Sequence, residues 1–282
     1  MGNCLVCKPL VSKFSLSAFA PAPSSPLATS PRPRHNQSVI GPNIGAYLNA
    51  LGILIGAFFG LASRQPVSAR GQNFYKAALG AFTFFYGVRL VYENIHGTFT
   101  VGLKQLCLGA VALVLGNWLG RLLRLQKMSN RVGHYAAGFL TAAQKHPPGK
   151  PADGLVSATI LFCAAPLGVL GSVADGLTGF FYLLLLKAVM DGLAMMTFVK
   201  LFRWPVALAA IPVFLFFNGL TVLIHFGLKP WLDANLLSDS INVAAGLVTC
   251  IVPVVIFEVR RVELNSYLPA IFIAPLLKFW LG

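Results

Sequence analysis

From Asn43 onward the chain alternates long apolar runs with short polar intervals. The runs cover roughly 43–63, 74–93, 101–120, 155–174, 179–199, 204–224, 240–258 and 265–281. Each is close to the ~20 residues that a helix needs to cross the hydrocarbon of a bilayer. The runs are continuous and contain glycine and other small residues. Strands of an outer-membrane barrel would instead alternate apolar and polar positions over ~10 residues. The pattern predicts an all-α fold, a polytopic transmembrane bundle of about 7–8 spanning helices. The last run is short and holds Pro269 and Pro275, which predicts a tilted or broken helix. In the fourth run Pro166 lacks an amide hydrogen and crowds the preceding turn, so that helix must kink or break. Gly168, Gly171, Gly176 and Gly179 weaken the turns after it.

Composition narrows the class further. The chain is 56% hydrophobic and only 11% charged, too little charge for a soluble domain of 282 residues. The net charge of +14 does not point to nucleic acid, because the basic residues sit in short loops between apolar runs and no nucleic-acid motif accompanies them. Arg64, Arg70 and Lys76 come after the first run, and Arg121, Arg124, Lys127, Arg131, Lys145 and Lys150 after the third. Lys200 and Arg203 come after the fifth, and Arg260 and Arg261 after the seventh. If the runs span alternately, these loops share one side, expected to be the cytoplasm, with both termini outside.

Residues 1–38 differ from the rest: they contain no acid, are rich in Ser, Pro and Ala, and carry Lys8, Lys13, Arg32 and Arg34. The opening MGNCLVC is a partial acylation signal, with Val6 where Ser or Thr belongs. Positive charge before the first span opposes an N-out insertion. The expectation is therefore a disordered tail or a misassigned start, with the natural chain beginning at Val39 and residues 39–282 forming one transmembrane domain. Cys4 and Cys7 form an isolated C-x-x-C, which does not make a zinc or redox site without a second pair. With the histidines dispersed, no metal or cofactor is expected, and the absence of a nucleophile-and-base set argues against an enzyme.

Gly52, Gly56 and Gly60 recur every four residues and form a flat helix face, as do Gly116 and Gly120. Such faces let backbones approach closely, either within one bundle or across the seam of a homo-oligomer.

The stretch VADGLTGFFYLLLLKAVMDG, residues 173–192, raises the question of chemistry. Lys187 and Asp191 are four residues apart, on one helix face and close enough to pair. A helix starting near Gly179 puts them ~12 and ~18 Å deep, where an unpaired charge costs at least ~2.5–3.5 kcal/mol. Asp175 is expected at the outer surface, in the turn between two runs. Intramembrane charges mark ion or substrate sites, although a buried pair also serves as a structural staple. Asn49, Asn117, Thr159, Asn218, Asn242 and Asn265 are polar residues within or beside the spans that are able to complete a site. The pattern leaves two readings: a small-solute or ion transporter centred on residues 155–192, or a non-transporting membrane scaffold.

Phe162, Cys163 and Pro166, the turn Gly171 with Asp175–Gly179, and the Lys187, Asp191, Gly192 helix resemble the signature of the YqgA/YdfK-like bacterial membrane proteins, domain of unknown function 554. Ala165 stands where that signature usually has Gly. The segments IGPNIGAYLNALGILIGAFFG and LNSYLPAIFIAPLL are similar to the family's ends, so the resemblance runs from about Ile40 to the C-terminus. It implies a bacterial inner-membrane protein with no established substrate. The candidate substrate or ion site combines Lys187, Asp191, Asp175, Cys163, Pro166, Asn49 and Asn218.

Overall fold

The computed structural model describes residues 43–63, 69–145, 149–260 and 262–281. The expectations for residues 1–38, including the start at Val39 and the Cys4–Cys7 pair, lie outside the described residues, as do Arg64 and Arg261.

The described residues form helices and no strand. These are α1 (Ile44–Ala62), α2 (Ala69–Glu93), α3 (Phe99–Leu122), α4 (Leu125–Lys145), α5 (Pro151–Cys163), α6 (Pro166–Thr178) and α7 (Tyr182–Phe202). A 3-10 segment, Trp204–Ala209, leads into α8 (Ala210–Val222), a π-helical stretch (Leu223–Leu228) and α9 (Lys229–Ala234). Next come α10 (Ser238–Ile256), a 3-10 turn (Leu264–Tyr267) and α11 (Ala270–Leu281). Six stretches are long and apolar enough to cross a membrane: α1, α3, α7, 204–234, α10 and 264–281. The pair α5/α6, bent by 58°, makes a seventh. The 25-residue α2 is long enough as well but carries more charge.

Glycine contacts set the directions of the helices. Gly45 lies on Leu184, Gly52 on Ala188, Gly56 on Gly192, and Gly60 on Met196 and Val199, so α1 and α7 run parallel. Gly87 meets Gly246 and Cys250, and Asn94 bonds to Asn242, so α2 and α10 are antiparallel. Gly116 meets Ala270 and Gly120 meets Ser266, so α3 and the last span are antiparallel.

These directions decide what the bent pair is. The end of α3 and the start of α5 lie at one end of the bundle, the latter beside the end of α7 through Gly149 N–H to Leu201 O, 3.1 Å. Because α7 parallels α1, it begins at the opposite end. The segment α5–α6 therefore crosses the bundle as a broken span; a re-entrant loop would return it to its own end. The six stretches, the bent pair and α2 together give eight passages, matching the apolar runs. The described basic loops gather at one end, where Lys76 pairs with Glu258 at 2.5 Å and Arg121 lies 3.8 Å from Glu263.

The helix α4 was not expected. It begins where α3 ends and finishes at the same end of the bundle, packing Ala136 and Ala143 inward and exposing Lys127 and Arg131. Ser157 of α5 donates to the Ala136 carbonyl across 2.9 Å. The stripe of Gly52, Gly56 and Gly60 is covered by α7 of the same chain. The central helix α7 has buried residues on every side, from Leu183 and Leu184 to Met195, Val199 and Phe202. One apolar cluster, including Ile53, Phe162, Phe198 and Phe217, packs against it. A second, including Leu170, Leu183, Ile241 and Val248, packs on its other side.

Candidate functional site

The break between α5 and α6 falls at Ala164 and Ala165, with Pro166 at the first position of α6. That position has no intrahelical use for an amide hydrogen, so proline restarts the helix without leaving a donor unmade. The next turn brings Gly168 against α7 and α8. A Cβ there would stand 2.6 Å from Lys187 Cε, so the absence of a side chain makes room for the lysine.

Lys187 is 1% exposed and Asp191 6%. The ammonium of Lys187 donates to the Asp191 carboxylate one turn further along α7. It also lies 5.0 Å from the ring centre of Phe217 and 5.8 Å from that of Phe162. Aromatic faces attract a cation, more so when it is desolvated. The pair is thus enclosed by α5, α6, α7 and α8. Because α7 begins at Tyr182 rather than Gly179, Lys187 lies ~7.5 Å and Asp191 ~13.5 Å along it. Asp191 is therefore near the middle of α7, and Lys187 one turn closer to its start.

Further buried polar groups lie beside the pair and along the helices that enclose it. Asn49 of α1 is fully buried, and its side chain interacts with the Asp191 carboxylate. Ser172, one turn beyond Gly168, and Thr221, one turn beyond Phe217, bury hydroxyls without partners. Each unmade bond costs ~1–3 kcal/mol. Cys163 sits partly buried at the break, within electrostatic reach of both charges.

Asp175 departs from expectation. It is at the end of the bundle where α1 begins, but not in an exposed turn: it is 2% exposed inside the last turn of α6, where its carboxylate accepts the Gly45 N–H at 3.3 Å. That amide belongs to the first turn of α1, where the helix dipole favours an anion. The sequence placed Asp175 in a turn because its partner is 130 residues away. His225 was missed; it directly follows the sixth apolar run, beyond the bounds read from the sequence. Its Nδ1 lies 3.0 Å from Gly176 O, and it occupies the π-helical stretch, a distortion frequent at functional sites.

The remaining candidates scatter. Asn218 comes after Phe217 but shares the face of Phe214, which packs on Tyr47 of α1, and its buried amide oxygen has no partner. Asn242 donates to Asn94 at 2.9 Å in the α2–α10 seam. Asn117 lines a cavity beside α10, Asn265 lies in the last 3-10 turn, and Thr159 is half-buried on α5. Of the polar residues singled out in the sequence, Asn49 alone faces the pair. Among the described residues no group of His, Cys, Asp and Glu is arranged to hold a metal.

Residues 44–279 match a family described as "Protein of unknown function (DUF554)". The "Uncharacterized membrane protein YdfK" of Bacillus subtilis (strain 168) is 22% identical over 235 residues, covering 83% of this chain and 95% of the relative. The "Uncharacterized protein YqgA" of Escherichia coli (strain K12) is 24% identical over 240 residues, covering 84% and 97%. No solved structure shows significant similarity.

Proposed function

The chain belongs to the DUF554 family of unknown function, and from that premise we propose that this multi-pass membrane protein transports a small solute or ion. Its site would be the point where the broken α5–α6 span meets Lys187 and Asp191. One observation carries the reading: the break between α5 and α6, the charged pair of α7 and Asn49 of α1 meet at one buried point in the bundle. Transporters build sites from interrupted helices near mid-membrane, where freed backbone and charged side chains line a cavity. The enclosed pair corresponds to an occluded state, and the proposal requires a second state that admits water. The scaffold reading draws on the same burial, since a staple needs no such opening. No enzymatic role is part of the proposal.

Cys163 tests it. With Cys4, Cys7, Cys107 and Cys250 replaced by alanine, a water-soluble methanethiosulfonate reagent is applied to the protein in vesicles. A Ser172→Cys variant on the Cys163→Ala background is probed in parallel. Modification of either thiol in folded protein, at a rate that changes with pH or added salts, is the expected result. Thiols that react only after denaturation would leave the scaffold reading in place.

The proposed orientation has the basic end in the cytoplasm, supported by its lysines and arginines, and the start of α1 and the end of α11 outside. A C-terminal alkaline phosphatase fusion is accordingly expected to be active and a C-terminal green fluorescent protein fusion dark. The reverse pair of results would invert the orientation.

A further inference from the structure

With 21 residues, α4 is ~31 Å long, about the thickness of the hydrocarbon. Its start nevertheless follows the end of α3 by two residues. Ala143, near its finish, lies against Gly149, which is bonded to Leu201 at the end of α7. Both ends of α4 are therefore at the basic end of the bundle, and the helix lies across that end without passing through it. Three stripes run along it. Ala136, Leu140 and Ala143 face the bundle, the last two packing in the apolar cluster that contains Phe202. Met128, Val132, Tyr135 and Phe139 recur at helical spacing as a second stripe, largely uncovered: Met128 and Tyr135 are each 60% exposed. The rings of Tyr135 and Phe139 meet edge to face, 5.0 Å apart. Lys127, Arg131 and His134 each come one residue before a member of that stripe, so they stand ~100° from it around the axis, with Lys145 on the same side. No Asp or Glu occurs from Arg121 to Lys150. Arg124, Lys127, Arg131 and Lys145 have no ion-pair partner among the described residues.

We propose that α4 is a docking surface for anionic phospholipids of the protein's own membrane. The stripe of Met128, Val132, Tyr135 and Phe139 rests on the upper part of the acyl chains, and the basic stripe beside it takes the headgroup phosphates. Continuity and charge both favour that occupant. Leu122 and Leu123, where the α3 span ends, are exposed, so the apolar stripe of α4 takes up where the lipid-facing surface of α3 stops. An exposed apolar stripe flanked by Lys and Arg is the pattern of a helix lying in the membrane interface. Lys and Arg stems lie along apolar surface while their heads reach phosphate. With no acid nearby to neutralise them, these cations select negatively charged headgroups, each strengthening attachment by about fivefold near an anionic surface. This surface does not depend on whether the protein transports anything.

Fluorescence quenching on the full chain tests the proposal. Cys4, Cys7, Cys107, Cys163 and Cys250 are replaced by alanine, and Met128→Cys carries a bimane label, with Tyr135→Cys as a second labelling position on the same stripe. The protein is placed in vesicles of phosphatidylcholine and phosphatidylglycerol, one or the other brominated in its acyl chains. Both lipids are expected to quench the label. Brominated phosphatidylglycerol should do so with a preference of roughly tenfold, which shrinks as salt is raised. Lys127→Gln with Arg131→Gln and Lys145→Gln should bring the two lipids to parity. Lys104→Gln with Lys278→Gln, at the opposite end of the bundle, should leave the preference unchanged. A label quenched by aqueous iodide and by neither lipid would overturn the docking surface and turn it towards a soluble partner. Equal quenching by the two lipids before the lysines and arginine are changed, or a preference that survives the triple variant, would overturn the selection of anionic lipid.

Discussion

Asp191→Asn is expected to leave little or no monodisperse protein after detergent extraction. The substitution keeps the size of the side chain and removes the carboxylate that the Lys187 ammonium touches. An ammonium enclosed by Phe162, Phe217 and Gly168 then has two ring faces and an amide, with nothing to replace the lost charge. Breaking a buried pair from one side costs ~3–5 kcal/mol, whereas replacing both members with apolar or neutral groups is often tolerated. Lys187→Met should fail for the mirror reason, and Lys187→Met with Asp191→Asn should recover a folded, monodisperse protein. Size-exclusion profiles and thermal unfolding of the four proteins measure this cycle. Single variants as stable as the parent would mean that each charge already has another partner, and the enclosure of the pair by four helices would be wrong. The recovered double variant separates fold from function: a transporter without its charges should be folded and inert, while a scaffold should keep its cellular role.

How much of this was legible in the sequence depended on the range of each interaction. The eight passages, the break at Pro166 and the Lys187–Asp191 pair were readable because each is set within about one helix length. The helix α4 was not, since its buried face consists of Ala136 and Ala143 and the rest reads as a basic loop. Long-range placement was the larger gap. Asp175 is in a D-G-L-T-G turn by sequence, yet its partner is the N-terminus of α1, which no local pattern reveals. Asn49 and Asn242 looked equivalent as asparagines in apolar runs. Tertiary packing gave one to Asp191 and the other to Asn94. The glycine stripe on α1 was legible as an interface, but the identity of its partner was not. That α7 is parallel to α1, and supplies the partner itself, emerges only from the contacts.

That partner makes Gly56→Leu the second large effect. A Cβ at Gly56 would meet the carbonyl and Cα of Gly192, which are backbone and cannot turn aside as a side chain can. Overpacking a fitted core costs ~1–3 kcal/mol when side chains can adjust, and here α1 itself would have to move away from α7. The displacement would carry Asn49 from Asp191 and the Gly45 amide from Asp175, opening both polar contacts at once. Loss of folded protein is the expected result, with Gly56→Ala intermediate. Gly219→Ala supplies the contrast: nothing lies within 4 Å of a Cβ there. Alanine is the better helix former by ~1 kcal/mol, so that variant should be at least as stable as the parent. Mass photometry with unfolding curves distinguishes the two uses of the stripe. A Gly56→Leu protein that is folded but of lower oligomeric state than the parent would show that the stripe joins two chains. Failure of the single chain to fold is what α7, lying against it, requires.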